Sequence, residues 1–382
     1  MIEPLRLAVL KEIVEDANLR NQWNELVRRV DHPQVFYTYE WAFAVQRAYS
    51  ATLHPLVFLA YDDNASLCGL AALALDADDV RASFLCATTG DYCDFLALTE
   101  HKFVFVALVL AYLRSRGINE VTLTNLPADS TTLAAIRQSS AEFGYRSFAR
   151  TAYICAQVSL REIERSIGEN KPVLPGRKMV RRALKAIGQN LPVRLDHACS
   201  WEEIEPILSE FARTHVSRFL ATGRISNLAT PERRSFLEEL AKLLSGPRWV
   251  VLTRMMTGDK TIAWNYGFQF EGTWFWYQPT FDTSLERYSP GFCLLTKLIE
   301  EAVENPALRI VDLGLGAEEY KERFANQTRK TLYITLRSSV TKHVREIVRY
   351  RAAELIKKSP RLEAGIRNTV ARLQQLGKTK AR

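Results

Sequence analysis

The run Ser289-Pro290-Gly291 is the stretch of this chain best suited to chemistry. It opens an apolar helical pattern of about four turns, just after an aromatic strand-like run that reaches Tyr277 and a polar connector from Asp282 to Tyr288. The first amides of a helix have no partner within it, and the helix dipole places partial positive charge there, so such a junction attracts phosphate. Gly291 leaves the backbone approachable, and Pro290 is tolerated because the first turn needs no donor. The candidate anion cradle is therefore the backbone from Gly291 through Phe292 to Leu294, with Ser289 and the nearby cation Arg287.

The elements that must hold this junction follow a repeated order. Helical periodicity over Leu19–Val30 and Tyr39–Tyr49 precedes three strand-like runs, Pro55–Tyr61, Leu67–Leu75 and Arg81–Cys86. An apolar helix 101–116, a strand Glu120–Thr124, a helix Ser130–Phe143 and a strand Arg146–Val158 complete the first round. From Ser200 the order recurs: helices Trp201–Leu220 and Pro231–Leu244, then a meander of Trp249–Met256, Ile262–Phe270 and Trp274–Pro279. The Pro290 helix, a strand Leu308–Leu313, a helix 317–325 and a strand Thr331–Arg337 close it. Recurrence of element order predicts a duplicated α/β unit of roughly 150 residues. Where the second unit has Ser-Pro-Gly, the first has Thr88–Asp94 leading into a short apolar run, so only the second is equipped for phosphate.

Composition narrows the classes. With 382 residues, 47% of them hydrophobic, the chain can build two cores. The opening residues lack the pattern of a secretory leader, and the longest apolar run, Phe103–Leu113, is too short to span a bilayer. Six cysteines form no CxxC pair and no metal spacing, so reduced thiols and a cytoplasmic setting are expected, without metal. The net charge of +8 is concentrated at the end: residues 341–382 carry 12 Lys/Arg against 3 Asp/Glu. That tail is an amphipathic helical pattern with Val344, Ile347, Val348, Leu355 and Ile356, a break at Ser359-Pro360, then Leu362, Ile366, Val370 and Leu373. It reads as a solvated appendage or as a peripheral contact with an anionic membrane or a synthase complex. No zinc-finger or ribonucleoprotein motif accompanies the basic segments. The domain reading is 1–159, a basic linker and bridging helix over 160–195, a second unit over 196–340, and the helical tail over 341–382.

A meander followed by a glycine-opened helix, then strand, helix and strand, resembles the GNAT acyltransferases. The doubled arrangement is similar to the Fem-type aminoacyltransferases and to the cellulose-biosynthesis (CelD/BcsL-type) acetyltransferase family. The resemblance is carried by Phe36–Trp41, Asp91-Tyr92-Cys93-Asp94-Phe95, the basic run Arg177–Arg182, and His215-Val216-Ser217-Arg218. It is carried above all by the pair Asp282…Ser289-Pro290-Gly291…Leu294 and Asp312-Leu313-Gly314…Glu319-Tyr320-Lys321. One departure is plain: the GNAT pyrophosphate loop, [RQ]-x-x-G-x-[GA], puts Glu286 at its Arg/Gln position, with Arg287 one residue off register.

The resemblance implies an α/β fold of two tandem GNAT-like domains with a C-terminal helical appendage. It implies an acyltransferase using acetyl-CoA, with a saccharide or lipid-linked saccharide of an exopolysaccharide pathway as acceptor. An aminoacyltransferase using charged tRNA, favoured by the basic linker and tail, and a non-catalytic binding protein of a polysaccharide synthase are the alternatives. Thioester acyl transfer needs an oxyanion donor, a base for the acceptor and an acid for the departing thiolate. Candidates for the base are His215, Asp282 and Asp312; Tyr320 lies where GNAT enzymes often place the thiolate-protonating tyrosine. Arg218 one turn from His215, Lys321, and the basic-linker residues Arg177 and Arg181 are candidate substrate contacts. The run Trp274–Tyr277 is expected to be sheet core, with alternate members such as Trp276 free to stack on a sugar or adenine ring.

Overall fold

The computed structural model describes residues 5–168, 174–188, 191–316 and 318–358. A first unit runs β1 (Arg6–Leu10), α1 (Ala17–Arg29), α2 (Tyr39–Ala48), β2 (His54–Tyr61), β3 (Leu67–Leu75), β4 (Arg81–Phe84), β5 (Leu96–Ala97), α3 (Lys102–Ser115), β6 (Glu120–Pro127), α4 (Thr132–Ser139) and β7 (Arg146–Ser159). Helices α5 (Leu160–Gly168) and α6 (Arg177–Gly188) bridge the units. The second runs β8 (Val193–Ala198), α7 (Trp201–Ala221), α8 (Pro231–Ser245), β9 (Val250–Thr257), β10 (Lys260–Phe270), β11 (Thr273–Phe281), α9 (Pro290–Glu304), β12 (Ile310–Asp312), α10 (Glu319–Glu322) and β13 (Gln327–Arg337). Helix α11 (Val340–Lys358) follows. The sequence-predicted break at Ser359-Pro360 and the apolar positions from Leu362 to Leu373 lie outside the described residues, as does Pro172 of the linker.

The element order does recur, and each unit also opens with a strand that hydrophobic patterning misses. β1 and β8 are the two outer edges of the sheet, half-exposed along most of their length and interrupted by charge, so neither shows a clean alternation. Several elements are shorter than the sequence suggests, among them α4, with eight residues instead of fourteen, and β4, with four instead of six. β12 has three residues instead of six, and α10 a single turn instead of nine residues. Gly314 and Gly316, both at positive φ, shape the loop between them and delay the helix.

All strands join one mixed sheet of order β1-β2-β3-β4-β6-β13-β7-β12-β11-β10-β9-β8, with β5 on β3. The seam between the units is an exchange. β13, the last strand of the second unit, pairs with β6 of the first (Leu336 opposite Val121), while β7 of the first pairs with β12 of the second (Gln157 opposite Asp312). β13 and β7 then pair with each other over eleven residues of β13, from Gln327 to Arg337.

Side chains cross the same seam. Trp41 on α2 is fully buried, its ring 5.5 Å from Phe236, 5.1 Å from Phe268 and 5.6 Å from Tyr277. Its indole N–H donates to Thr89 Oγ1 at 3.0 Å, so this buried donor is paired. Phe36 meets Phe275 edge-on at 5.2 Å. On the other face of the sheet α9 buries Leu294, Leu295, Leu298, Ile299 and Ala302 at helical spacing, which fixes where its N-terminus points.

Candidate active site

The parallel pair β11–β12 lasts only from Thr273–Phe275 against Ile310–Asp312; beyond it the strands have no mutual pairing. The chain leaves β11 through a 3-10 turn, Thr283–Tyr288, passes through Ser289 at φ 51°, and enters α9. The left-handed conformation of Ser289 explains why the related loop favours glycine there. The Ser289 N–H is spent on the Glu286 carbonyl at 2.8 Å, and Cys293 N–H returns to the Ser289 carbonyl at 3.1 Å. Pro290 has no N–H, and the amides of Gly291 and Phe292 find no acceptor among the described residues. A β-carbon on Gly291 would meet only Phe281, at 3.4 Å, so packing alone does not demand glycine there.

Beside this turn lies a recess of about 850 Å³, bounded on one side by α6 and on the other by Arg287, Tyr288 and Ser289. Arg177, Lys178 and Arg182 bring three more cations to its rim. Arg181 is exposed but does not line it. Neither does Glu286, whose charge is felt by Arg218 instead. The Phe292 ring meets Phe324 at a tilt, 4.6 Å between centroids, and Leu294 is fully buried, so their side chains anchor the helix.

Where β11 and β12 part, a carboxylate enters from the other unit. Asp91 lies so close to Gly314 that a β-carbon on that glycine would come within 2.6 Å of Asp91 Oδ2 and 3.5 Å of the Trp276 carbonyl. Gly314 is at φ +72°, so the glycine answers both a backbone and a steric requirement. Burial raises the Asp91 pKa to about 7, the neighbouring Asp312 adds to this, and Lys321, Arg233 and the Leu315 N–H oppose it. The side chain remains partly exposed. A carboxyl group near half-ionisation at neutral pH is suited to proton transfer. The sequence singles out the Asp91–Phe95 run but assigns Asp91 no role, because only the fold carries it across the seam.

The other candidates fall into place around it. Asp312 is buried with both oxygens engaged: Tyr92 Oη donates at 2.8 Å, Gln157 Nε2 at 2.7 Å and Gly314 N at 2.8 Å. That geometry makes it an anchor for the loop and leaves no free oxygen for a base. Asp282 caps the 3-10 turn, accepting from Ser284 N at 2.9 Å and pairing with Lys260 at 2.8 Å. Burial pushes its pKa up, but Lys260 and Ser284 together hold it below the ordinary value. Its place is at the start of the 3-10 turn.

His215 is buried, with Nδ1 2.8 Å from Ser226 Oγ and its ring stacked on Phe219. Burial, then Arg218 and Arg233, lowers its pKa to about 4, against a hydrogen bond to Gln278 that raises it. It is neutral at pH 7 and holds Gln278 of β11. Arg218 donates to the Pro279 carbonyl at 2.9 Å and lies over Phe281. Tyr320 accepts from Trp276 Nε1 at 3.1 Å; burial and Glu318 raise its pKa to about 12, against Trp276 and Arg218. Lys321, buried, donates to the Leu315 carbonyl at 2.8 Å and pairs with Glu318. Trp276 is 3% exposed, as buried as Trp264 and Tyr266, so the expected ring stacking has no open face there.

At the start of α3 in the first unit, polar side chains are paired with one another. The Lys102 ammonium donates to the Phe95 carbonyl and to Thr132 Oγ1, and Asp94 accepts from that same Thr132 hydroxyl at 2.6 Å. The described residues contain no cluster able to hold a metal ion, and the six cysteines are free thiols.

Residues 176–322 match the acetyltransferase (GNAT) domain. The match begins at Gly176, one residue before α6, and ends at the last residue of α10, enclosing α9 and its loop. No match is found among curated proteins. Solved structures share the whole two-unit fold. A conserved protein of unknown function from Bacteroides thetaiotaomicron is similar with a TM-score of 0.60 and 11% identity, over 87% of this chain and 100% of that one. FemX is similar with a TM-score of 0.59 and 9% identity, over 86% and 98%. The C-terminal domain of a putative lysylphosphatidylglycerol synthetase from Agrobacterium fabrum is similar with a TM-score of 0.54 and 11% identity, over 87% and 95%. At these identities the likeness is one of fold, and that fold is two tandem GNAT-like units.

Proposed function

We propose that the second, GNAT-like unit transfers an acyl group, acetyl in the first instance, from acyl-coenzyme A to an amine or hydroxyl of a saccharide or lipid-linked saccharide. The observation that carries this reading is the start of α9: the amides of Gly291 and Phe292 are unpaired there, and beside the turn that leads into them lies the recess rimmed by Arg177, Lys178, Arg182 and Arg287. A diphosphate is the chemistry that such a site takes. The acceptor class rests on the family resemblance given by the sequence motifs.

In this reading the acceptor lone pair attacks the thioester carbonyl and the Asp91 carboxylate takes the proton. The oxyanion is met by an amide of β11 past the last paired residue, near Tyr277 or Gln278. The C–S bond then breaks and the Tyr320 hydroxyl, protonated at neutral pH, supplies a proton to the thiolate. His215 and Arg218 position the end of β11 through Gln278 and the Pro279 carbonyl.

The test is calorimetric titration of acetyl-CoA into wild type and an Arg177→Ala, Arg182→Ala, Arg287→Ala variant. Affinity is expected to fall at least ~10-fold, since charge-assisted contacts contribute about 1.5 kcal/mol or more each. Equal affinity in the two proteins rejects the site. Tyr320→Phe should leave that affinity unchanged and lower kcat roughly 10-fold or more, read by thiol release with amino-sugar acceptors. A full rate in Tyr320→Phe removes it as the acid. An aminoacyl-tRNA donor is the second reading, favoured by the same cationic rim. It predicts a tRNA mobility shift that weakens steeply with salt, and no coenzyme A binding.

A further inference from the structure

Helix α11 leaves an apolar stripe without a partner. One side of the helix is tied to the sheet: Glu346 accepts from Thr335 Oγ1 at 2.6 Å and pairs with Arg337 at 3.0 Å, and Tyr350 meets Phe148 at 5.4 Å. At 100° per residue, the opposite side presents Val340, Val344, Val348 and Leu355. All four are exposed, at 51%, 50%, 59% and 66%. They stand in line over about four turns. Exposed Arg345 and Arg349 stand along one edge of the stripe, and exposed Arg351 lies between the angular positions of Val340 and Val344. The helix carries six Lys/Arg and two Asp/Glu, and one of those two acids, Glu346, is already turned inward.

We infer that α11 is a membrane-surface helix: its valine and leucine stripe enters the edge of the acyl region of an anionic bilayer while the flanking arginines contact lipid phosphates. Charge chooses this occupant. A second copy of the chain would bring the same arginine-edged stripe against itself, and like charges repel. An anionic lipid surface pairs with those arginines, each basic residue near it contributing about 1 kcal/mol. No helix among the described residues is long and apolar enough to cross a membrane, so the contact is peripheral. The sequence after α11 continues basic, with six Lys/Arg against one Asp/Glu over residues 359–382. The inference does not depend on the acyl-transfer reading.

The experiment is co-sedimentation of the full chain with vesicles of phosphatidylcholine alone and of phosphatidylcholine mixed with phosphatidylglycerol, whose anionic headgroups supply a negative surface potential. The Val344→Asp, Val348→Asp variant is compared with wild type. Both positions are exposed, so the thermal melt of the variant should match wild type. Wild type is expected to bind the anionic vesicles and to lose at least ~10-fold in partitioning at high salt or in the variant. Equal binding of both proteins, equal binding to neutral vesicles, or no binding by wild type overturns the inference. So does a wild-type dimer in sedimentation velocity that the variant abolishes, because the stripe would then be a self-interface.

Discussion

Asp91→Asn is expected to lower kcat by about 10²–10⁴-fold, the range associated with loss of a positioned general base, while acetyl-CoA affinity stays as in wild type. The carboxylate is placed by geometry, held over Gly314 where β11 and β12 part. With a pKa of about 7, wild-type kcat/KM should rise through neutral pH as Asp91 ionises, and the variant should lose that limb. A variant with wild-type rate and the same pH profile excludes Asp91 as the base. Stability gives an independent readout. Between the unfolded pKa near 3.8 and the native pKa near 7, the native state binds the proton more tightly than the unfolded chain. Native stability therefore falls as pH rises through that window, by no more than about 4 kcal/mol at 1.36 kcal/mol per pKa unit. The amide introduced by Asp91→Asn carries no charge, so the variant should melt higher than wild type at pH 8, an advantage that shrinks toward pH 4. A catalytic loss together with a gain in alkaline stability is what a strained, functional carboxylate predicts.

Trp41→Ala is expected to cost about 3–5 kcal/mol, a large share of the stability of an ordinary domain. Trp41 belongs to the first unit by sequence, yet three of its ring partners, Phe236, Phe268 and Tyr277, belong to the second. The β6–β13–β7–β12 exchange ties the two sheets by main-chain hydrogen bonds as well. Chemical denaturation followed by tryptophan fluorescence and by far-ultraviolet dichroism should therefore show one coincident transition, displaced to lower denaturant in the variant. Two separated transitions in wild type would show that the units fold independently and that the seam is weaker than its contacts indicate.

These two residues also mark what can be read from one dimension. The sequence by itself determined the periodic elements, their recurrence, the placing of Ser289-Pro290-Gly291 at a helix start, and the basic character of the tail. All of these are local, set by hydrophobic spacing, by helix-opening residue types and by charge along a few turns. The edge strands β1 and β8 escaped because exposure on one side dilutes their alternation. Glu286, next to Arg287 in sequence, is turned away from the recess that Arg287 lines.

Tertiary structure alone decided how the candidates divide their work. Asp312 and His215 have the right chemistry for a base, yet their polar atoms are consumed by Tyr92, Gln157 and Gly314 in one case and by Ser226 and Gln278 in the other. Asp91 acquires its environment from Gly314, Leu315, Asp312 and Lys321, more than two hundred positions along the chain. A pKa depends on what surrounds a group in space, and the strand exchange that assembles those surroundings leaves no periodic trace in the sequence.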